Sequence, residues 1–291
     1  MDIGDHAKWR QMSKLADEKR LILVFSALRS RECFPIMLKG WSVARFYDPG
    51  HFRASNDIDL LFPESPGEVV SGTLSTIPST IAIDAHFGPR HLDKLTFQQL
   101  FEKSYEVEIE GVPIRVLADE DNLRITAVHW LTDGGVNKER LQDIFYLVKN
   151  RKEDFDWVRC LESNGSIRKT WVLSAIATAR IHLNLDVSGL PEEARQFQLP
   201  TWYSRTLEKE WRLGPYTRRI LSTVLFRPSL LIEQLRRKVP PNPIAASIDT
   251  EKAIDNSSRL PAQLKSILKK MRPFARGVGR RITYSIRGRE S

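Results

Sequence analysis

The run Asp57-Ile58-Asp59-Leu60-Leu61-Phe62 constrains this chain more than any other stretch, because it sets two acids one residue apart inside an otherwise apolar segment. In an extended strand alternate side chains share a face, so Asp57 and Asp59 point one way while Ile58 and Leu60 point into a core. Two carboxylates a few ångströms apart repel each other and raise each other's proton affinity unless a cation neutralises them. Such a strand predicts a bound divalent ion. Mg²⁺ is the obvious one, a hard cation that takes carboxylate oxygens together with substrate phosphates.

Upstream, Ile36-Met37-Leu38 reads as a short strand feeding Lys39-Gly40-Trp41-Ser42. Gly40 permits close backbone approach. Ser42 falls in the first turn of a helix expected over Trp41–Tyr47, whose free N–H groups and dipole favour a phosphate. Gly40 and Ser42 are therefore candidates for positioning a triphosphate. Lys39 and Arg53 are candidate phosphate contacts, Lys39 as a point charge and Arg53 as a planar fork. Arg53 fits equally well as the partner of an aspartate that stiffens its loop. Downstream, Thr80–Phe87 alternates again, with Ile81, Ile83 and Ala85 on one side and Asp84 and His86 on the other.

Gly40-x-Ser42 followed by Asp57-x-Asp59 resembles the signature of the DNA polymerase beta-like nucleotidyltransferase superfamily. The fuller string, Lys39-Gly40, Ala44, Tyr47, Pro49, Arg53 and Asp57 to Leu61, is similar to a bacterial branch of nucleotidyltransferase-family proteins. More loosely it resembles the abortive-infection nucleotidyltransferase toxins, whose motif begins Lys-Gly-Gly. The chain departs from the wider pattern in having Trp41 between Gly40 and Ser42, and in the 14 residues that separate Ser42 from Asp57. The resemblance spans residues 36–150. It implies that Asp57 and Asp59 bridge two Mg²⁺ ions and that Asp84 is the third carboxylate, on the nucleophile side, with a functional histidine at His86, which as a lone histidine on a strand fits a structural role as well. It also implies a nucleoside triphosphate donor, ATP by expectation, and a hydroxyl acceptor on RNA, a protein, a peptide or a small molecule. Lys138, Arg140 and Asp143 match loosely a basic-then-Asp helix that lies near the nucleotide in the toxins, while His129 reads as a packed or capping residue. The alternative is a catalytically silent protein of the same fold that binds nucleotide or RNA or serves in assembly.

The expected class is α/β of the α+β kind: a small mixed sheet with flanking helices, followed by a mainly helical region. Tyr105–Leu117 reads as a β-hairpin turning at Gly111, and Ala118-Asp119-Glu120-Asp121 as capping material for a helix reaching Trp130. The expected divisions are 1–118 for the catalytic domain, 119–240 for a helical domain and 241–291 for a basic tail. The tail's charge is pronounced: Ser257–Ser291 holds ten Lys or Arg against one acid, so it accounts for the whole net charge of +9. A block of this kind suits RNA or an anionic membrane surface. Cys33 and Cys160 make no disulfide or zinc framework, which favours a reducing cytoplasm. No apolar run approaches the roughly 20 residues of a membrane span, and the N-terminus shows no signal peptide.

Overall fold

The computed structural model describes residues 3–65, 67–214 and 240–269. It is a mixed α/β protein, as expected. The chain runs α1 (Ile3–Arg29), β1 (Ile36–Leu38), α2 (Gly40–Ala44), β2 (Ile58–Phe62), α3 (Glu68–Thr76), β3 (Ile83–Phe87), α4 (Phe97–Phe101), β4 (Tyr105–Ile109) and β5 (Val112–Val116). Helices then follow: α5 (Asp119–Thr132), α6 (Leu141–Lys149), α7 (Trp157–Glu162), α8 (Gly165–Leu183), α9 (Glu192–Gln196), α10 (Thr201–Leu213) and α11 (Pro243–Asp249). Residues 260–269 form a further helical stretch, α12.

The five strands make one sheet in the order β3-β2-β1-β5-β4. β2 and β3 are parallel, joined through α3, whereas β1 runs antiparallel to β2 and parallel to β5. The β4–β5 hairpin turns on Glu110 and Gly111, both at positive φ, the combination a tight two-residue turn requires. Strand periodicity sorts the side chains into two cores. Met37, Ile58, Leu60, Phe62, Ile114 and Val116 face α1, which buries Leu21, Val24, Phe25 and Leu28 along one stripe. Burying each such side chain contributes about 1.5–3 kcal/mol. The other face carries Ile36, Leu38 and Leu61 against Leu92, Phe97, Leu100 and Ile125. Asp59 shares the parity of Leu61, and Asp84 and His86 oppose Ile83, Ala85 and Phe87, so all three polar side chains project from this second face.

The described chain divides into two compact units, residues 1–129 with 139–197, and 130–138 with 198–291. This differs from the division expected after residue 118. The capping acids at the start of α5 mark the expected boundary, yet α6 to α9 pack within the same unit as the sheet. The buried face of α8, from Trp171 to Ala179, is part of that unit's interior. In the second unit Trp130 and Trp211 donate their indole N–H groups to the carbonyls of Asn137 and Gly135. The periodic segment expected over 203–236 is helical as α10 to Leu213; residues 215–236 of it, and 270–291 of the basic tail, lie outside the described residues. No helix among the described residues is long and apolar enough to cross a membrane.

Candidate metal centre

The turn from β1 into α2 passes through two consecutive residues at positive φ, Lys39 (44°) and Gly40 (47°). Gly40 is required here twice over: a side chain is strained at that φ, and a Cβ would come within 3.1 Å of Ser55 Oγ. The bend aims Lys39 back across the sheet at its register neighbour, since Leu38 pairs with Asp59. Lys39 Nζ lies 2.7 Å from Asp59 Oδ1, and both side chains are more than nine-tenths buried.

Parallel register sets Asp59 beside Asp84 and places His86 one pleat further along β3. His86 Nε2 is 3.3 Å from Asp59 Oδ1 and 3.2 Å from Asp84 Oδ2. One ligand atom from each of Asp59, Asp84 and His86 falls within 4.8 Å of the others, the compactness a metal ion needs. Asp84 is the accessible member, with its side chain 55 % exposed on the edge strand. Burial alone would favour the protonated form of Asp59, but His86 and Lys39 outweigh it and hold this carboxyl below the usual carboxylate range. The stability it contributes is therefore complete at neutral pH and is lost only as acid carries the pH down through that lowered value.

The donor set fits a divalent ion. Two carboxylates suit Mg²⁺ or Mn²⁺, and the imidazole adds affinity for Mn²⁺ or Zn²⁺ or, by bonding both acids, orients them. Lys39 already supplies the positive charge that Asp59 needs when no ion is bound.

The remaining expected site residues are arranged differently. Asp57 lies just before β2, exposed, and outside the compact set of Asp59, Asp84 and His86. Ser42 is fully buried, and its hydroxyl accepts a 3.1 Å hydrogen bond from Asn122 Nδ2. The Ser42 side chain is thus engaged beneath α5, which leaves the backbone N–H groups of the turn for the phosphate-positioning role expected of Gly40 and Ser42. Arg53 takes the second of its two expected roles, as the partner of an aspartate. Its guanidinium forks onto Asp143 at 2.7 and 2.9 Å, and Tyr47 donates its hydroxyl to the same carboxylate at 2.7 Å. Burial together with the Asp143 charge pushes the Tyr47 phenol far up, so it remains a donor at every physiological pH.

Asp143 thus clamps the loop between α2 and β2 onto α6. Asn150 Nδ2 reinforces it at Phe46 O (2.6 Å) and Asp48 Oδ1 (2.8 Å), and Lys149 pairs with Asp48. Of the residues singled out with Asp143, Lys138 has its ammonium over the Trp211 ring at 5.3 Å, and His129 is half-buried in the last turn of α5. Asp143→Asn is expected to keep the shape and remove the charge, which costs about 1–3 kcal/mol. Faster amide hydrogen exchange over residues 48–57, with the sheet amides unchanged, is the readout; equal exchange would show that the clamp carries no weight.

A cavity of about 560 Å³ opens on the α1 side of the bend, lined by Trp41, Arg45, Tyr47, Phe52 and Leu21, with Asp57 at its border. Comparison with protein-family models, with curated proteins and with solved structures gave no match.

Proposed function

We propose that this protein is a divalent-metal-dependent nucleotidyltransferase, which moves the monophosphate of a nucleoside triphosphate, ATP in the first instance, onto an acceptor hydroxyl. The observation that carries the reading is the meeting of Asp59, Asp84 and His86 on one face of adjacent parallel strands, beside the Lys39–Gly40 bend. Asp59 and Asp84 would hold Mg²⁺, and Asp57 would complete the second ion position that the motif resemblance implies. A divalent ion there supplies charge neutralisation on the triphosphate and a lowered pKa at the acceptor. Asp84, the exposed acid, would take the acceptor's proton, directly or through His86. The acceptor oxygen bonds to the α-phosphorus while the bond to the bridging oxygen breaks, and the electron pair leaves with pyrophosphate. Backbone N–H groups at the bend, not the Ser42 hydroxyl, would face the outer phosphates. Two free, buried cysteines suit a cytoplasmic setting.

The test is transfer from α-labelled ATP in Mg²⁺ to a panel of RNA, protein and small hydroxyl acceptors, and to cell lysate. Asp84→Asn is expected to lower labelling about a hundredfold. Labelling that persists in Asp84→Asn and in Asp57→Ala/Asp59→Ala would remove this site from the reaction.

The Lys39–Asp59 ion pair favours a second reading, a nucleotide-binding protein without turnover, because the buried acid is already neutralised. Calorimetry that shows ATP binding unchanged by EDTA, with no labelled product on any acceptor, would select it.

A further inference from the structure

The helix α12 (residues 260–269) has two unlike sides. Ala262, Gln263 and Ser266 are buried. Gln263 Nε2 donates to Pro241 O at 2.7 Å, and Ser266 Oγ donates to Asp249 Oδ2 at 2.7 Å. Lys269 Nζ reaches Asp249 as well, at 3.0 Å. These bonds fix the rotation of the helix against α11. With that rotation set, Leu260, Leu264 and Leu268 point outward and are 63, 61 and 63 % exposed. Four-residue spacing stacks them into one row. Single exposed leucines are ordinary, but a contiguous row of three is a patch that marks an interaction surface.

The chemistry around the row names its occupant. Lys265 and Lys269 flank it, and the sequence continues with Lys270, Arg272, Arg276, Arg280, Arg281, Arg287 and Arg289 against the single acid Glu290. We propose that the Leu260/Leu264/Leu268 row is a docking surface for an anionic lipid bilayer, with Lys265, Lys269 and the basic residues that follow in the sequence supplying the attraction. Leucines gain by entering the acyl boundary while lysines and arginines remain among the headgroups. The cytoplasmic leaflet carries the matching negative charge. A nucleic acid would use the cations but gain little from aliphatic side chains, since bases stack on aromatic rings. Phe274 and Tyr284 are the only aromatic residues from 257 to 291. This inference is independent of the proposed reaction.

The experiment is flotation of the full chain with vesicles of phosphatidylcholine alone, and with vesicles containing about one-third phosphatidylglycerol. The expected result is binding only to the anionic vesicles, weakened about tenfold or more in Leu260→Ser/Leu264→Ser/Leu268→Ser and reduced by salt. Because the leucines are exposed, the triple variant should melt as the parent does; Leu264→Ala alone, with a smaller loss, serves if it does not. Anionic-vesicle binding untouched by both substitutions would overturn the proposal by showing that charge alone acts. Absence of vesicle binding would overturn it too, and tight single-stranded RNA binding in the same variants would assign the basic sequence to RNA.

Discussion

Asp59→Asn lowers nucleotidyl transfer by about a thousandfold, and Lys39→Ala uncouples metal affinity from turnover: these are the expected results if the Lys39–Asp59 pair is the resting form of a metal site. Without an ion, the buried Asp59 carboxylate is neutralised by an ammonium 2.7 Å away. An incoming divalent ion must compete with that ammonium for the same oxygen. Lys39→Ala leaves Asp59 and Asp84 as adjacent acids bridged by His86 alone, an arrangement that favours a cation more strongly. Mn²⁺ should therefore bind this variant about tenfold more tightly without nucleotide, since a charge-assisted hydrogen bond of about 1.5–3 kcal/mol no longer opposes it. Turnover should nonetheless fall about a hundredfold or more, because the cation released from Asp59 is then missing from the triphosphate. Asp59→Asn loses both properties, as it removes the ligand itself. Calorimetric or paramagnetic titration with Mn²⁺, run beside the α-labelled ATP assay, separates the two effects. Weaker Mn²⁺ binding in Lys39→Ala would show that the lysine supports the site structurally rather than competing for it.

The parts of this arrangement that follow from strand periodicity were legible in the sequence. Asp59 lies across from the apolar Ile58 and Leu60, and Asp84 and His86 share a face because side chains alternate; both follow from a period of two. That β2 and β3 are neighbours brings the three together, and periodicity alone does not give that pairing; only the motif resemblance pointed to an acid beside the Asp59 strand. What was not legible depends on partners far along the chain. Ser42 is turned inward by Asn122, eighty positions away, and Arg53 is committed to Asp143, ninety positions away. Neither partner has a local pattern that marks it; Asp143 stood out only as one charge in a loosely matching helix. Asp57 illustrates a subtler limit. Its alternation with Asp59 is real, but the strand begins only at Ile58, and one residue outside the ladder the face is no longer fixed. The division after residue 118 was drawn from the capping signal at a helix start, whereas packing groups the units, and three acids at a helix start look the same whether they cap it or, like Asp121, enter the core.

Asp121 leads to the largest expected effect on stability. Arg124, one turn further along α5, is 1 % exposed, and each part of its guanidinium is engaged. Nε donates to Asp93 Oδ2 at 2.7 Å, Nη2 to Asp121 Oδ1 at 2.6 Å and Nη1 to the Arg159 carbonyl at 3.0 Å. The side chains of Asp93 and Asp121 have no exposure at all. Arg124→Met would retain the volume and strand both acids. Asp121 would keep Arg159 at 2.7 Å, but Asp93 would be left with the Leu95 backbone N–H at 2.8 Å. Removing one side of a buried ion pair costs about 3–5 kcal/mol, and a domain has only about 5–15 kcal/mol in total. Arg124→Met should thus shift the urea midpoint far down or prevent folding at 37 °C. Arg124→Lys should fall between, because a point charge cannot satisfy three acceptors held in fork geometry. Neutralising the acids as well, in Asp93→Asn/Asp121→Asn/Arg124→Met, should recover much of the loss, since uncompensated charge and not lost packing is the cause. Asp93 sits in the loop that follows β3, the strand of Asp84 and His86, so a partly folded Arg124 variant should also lose Mn²⁺ affinity at the candidate centre. An unfolding free energy for Arg124→Met within about 1 kcal/mol of the parent would mean that water or movement of the 88–96 loop relieves the stranded acids, and that the network does not hold α5 to the sheet.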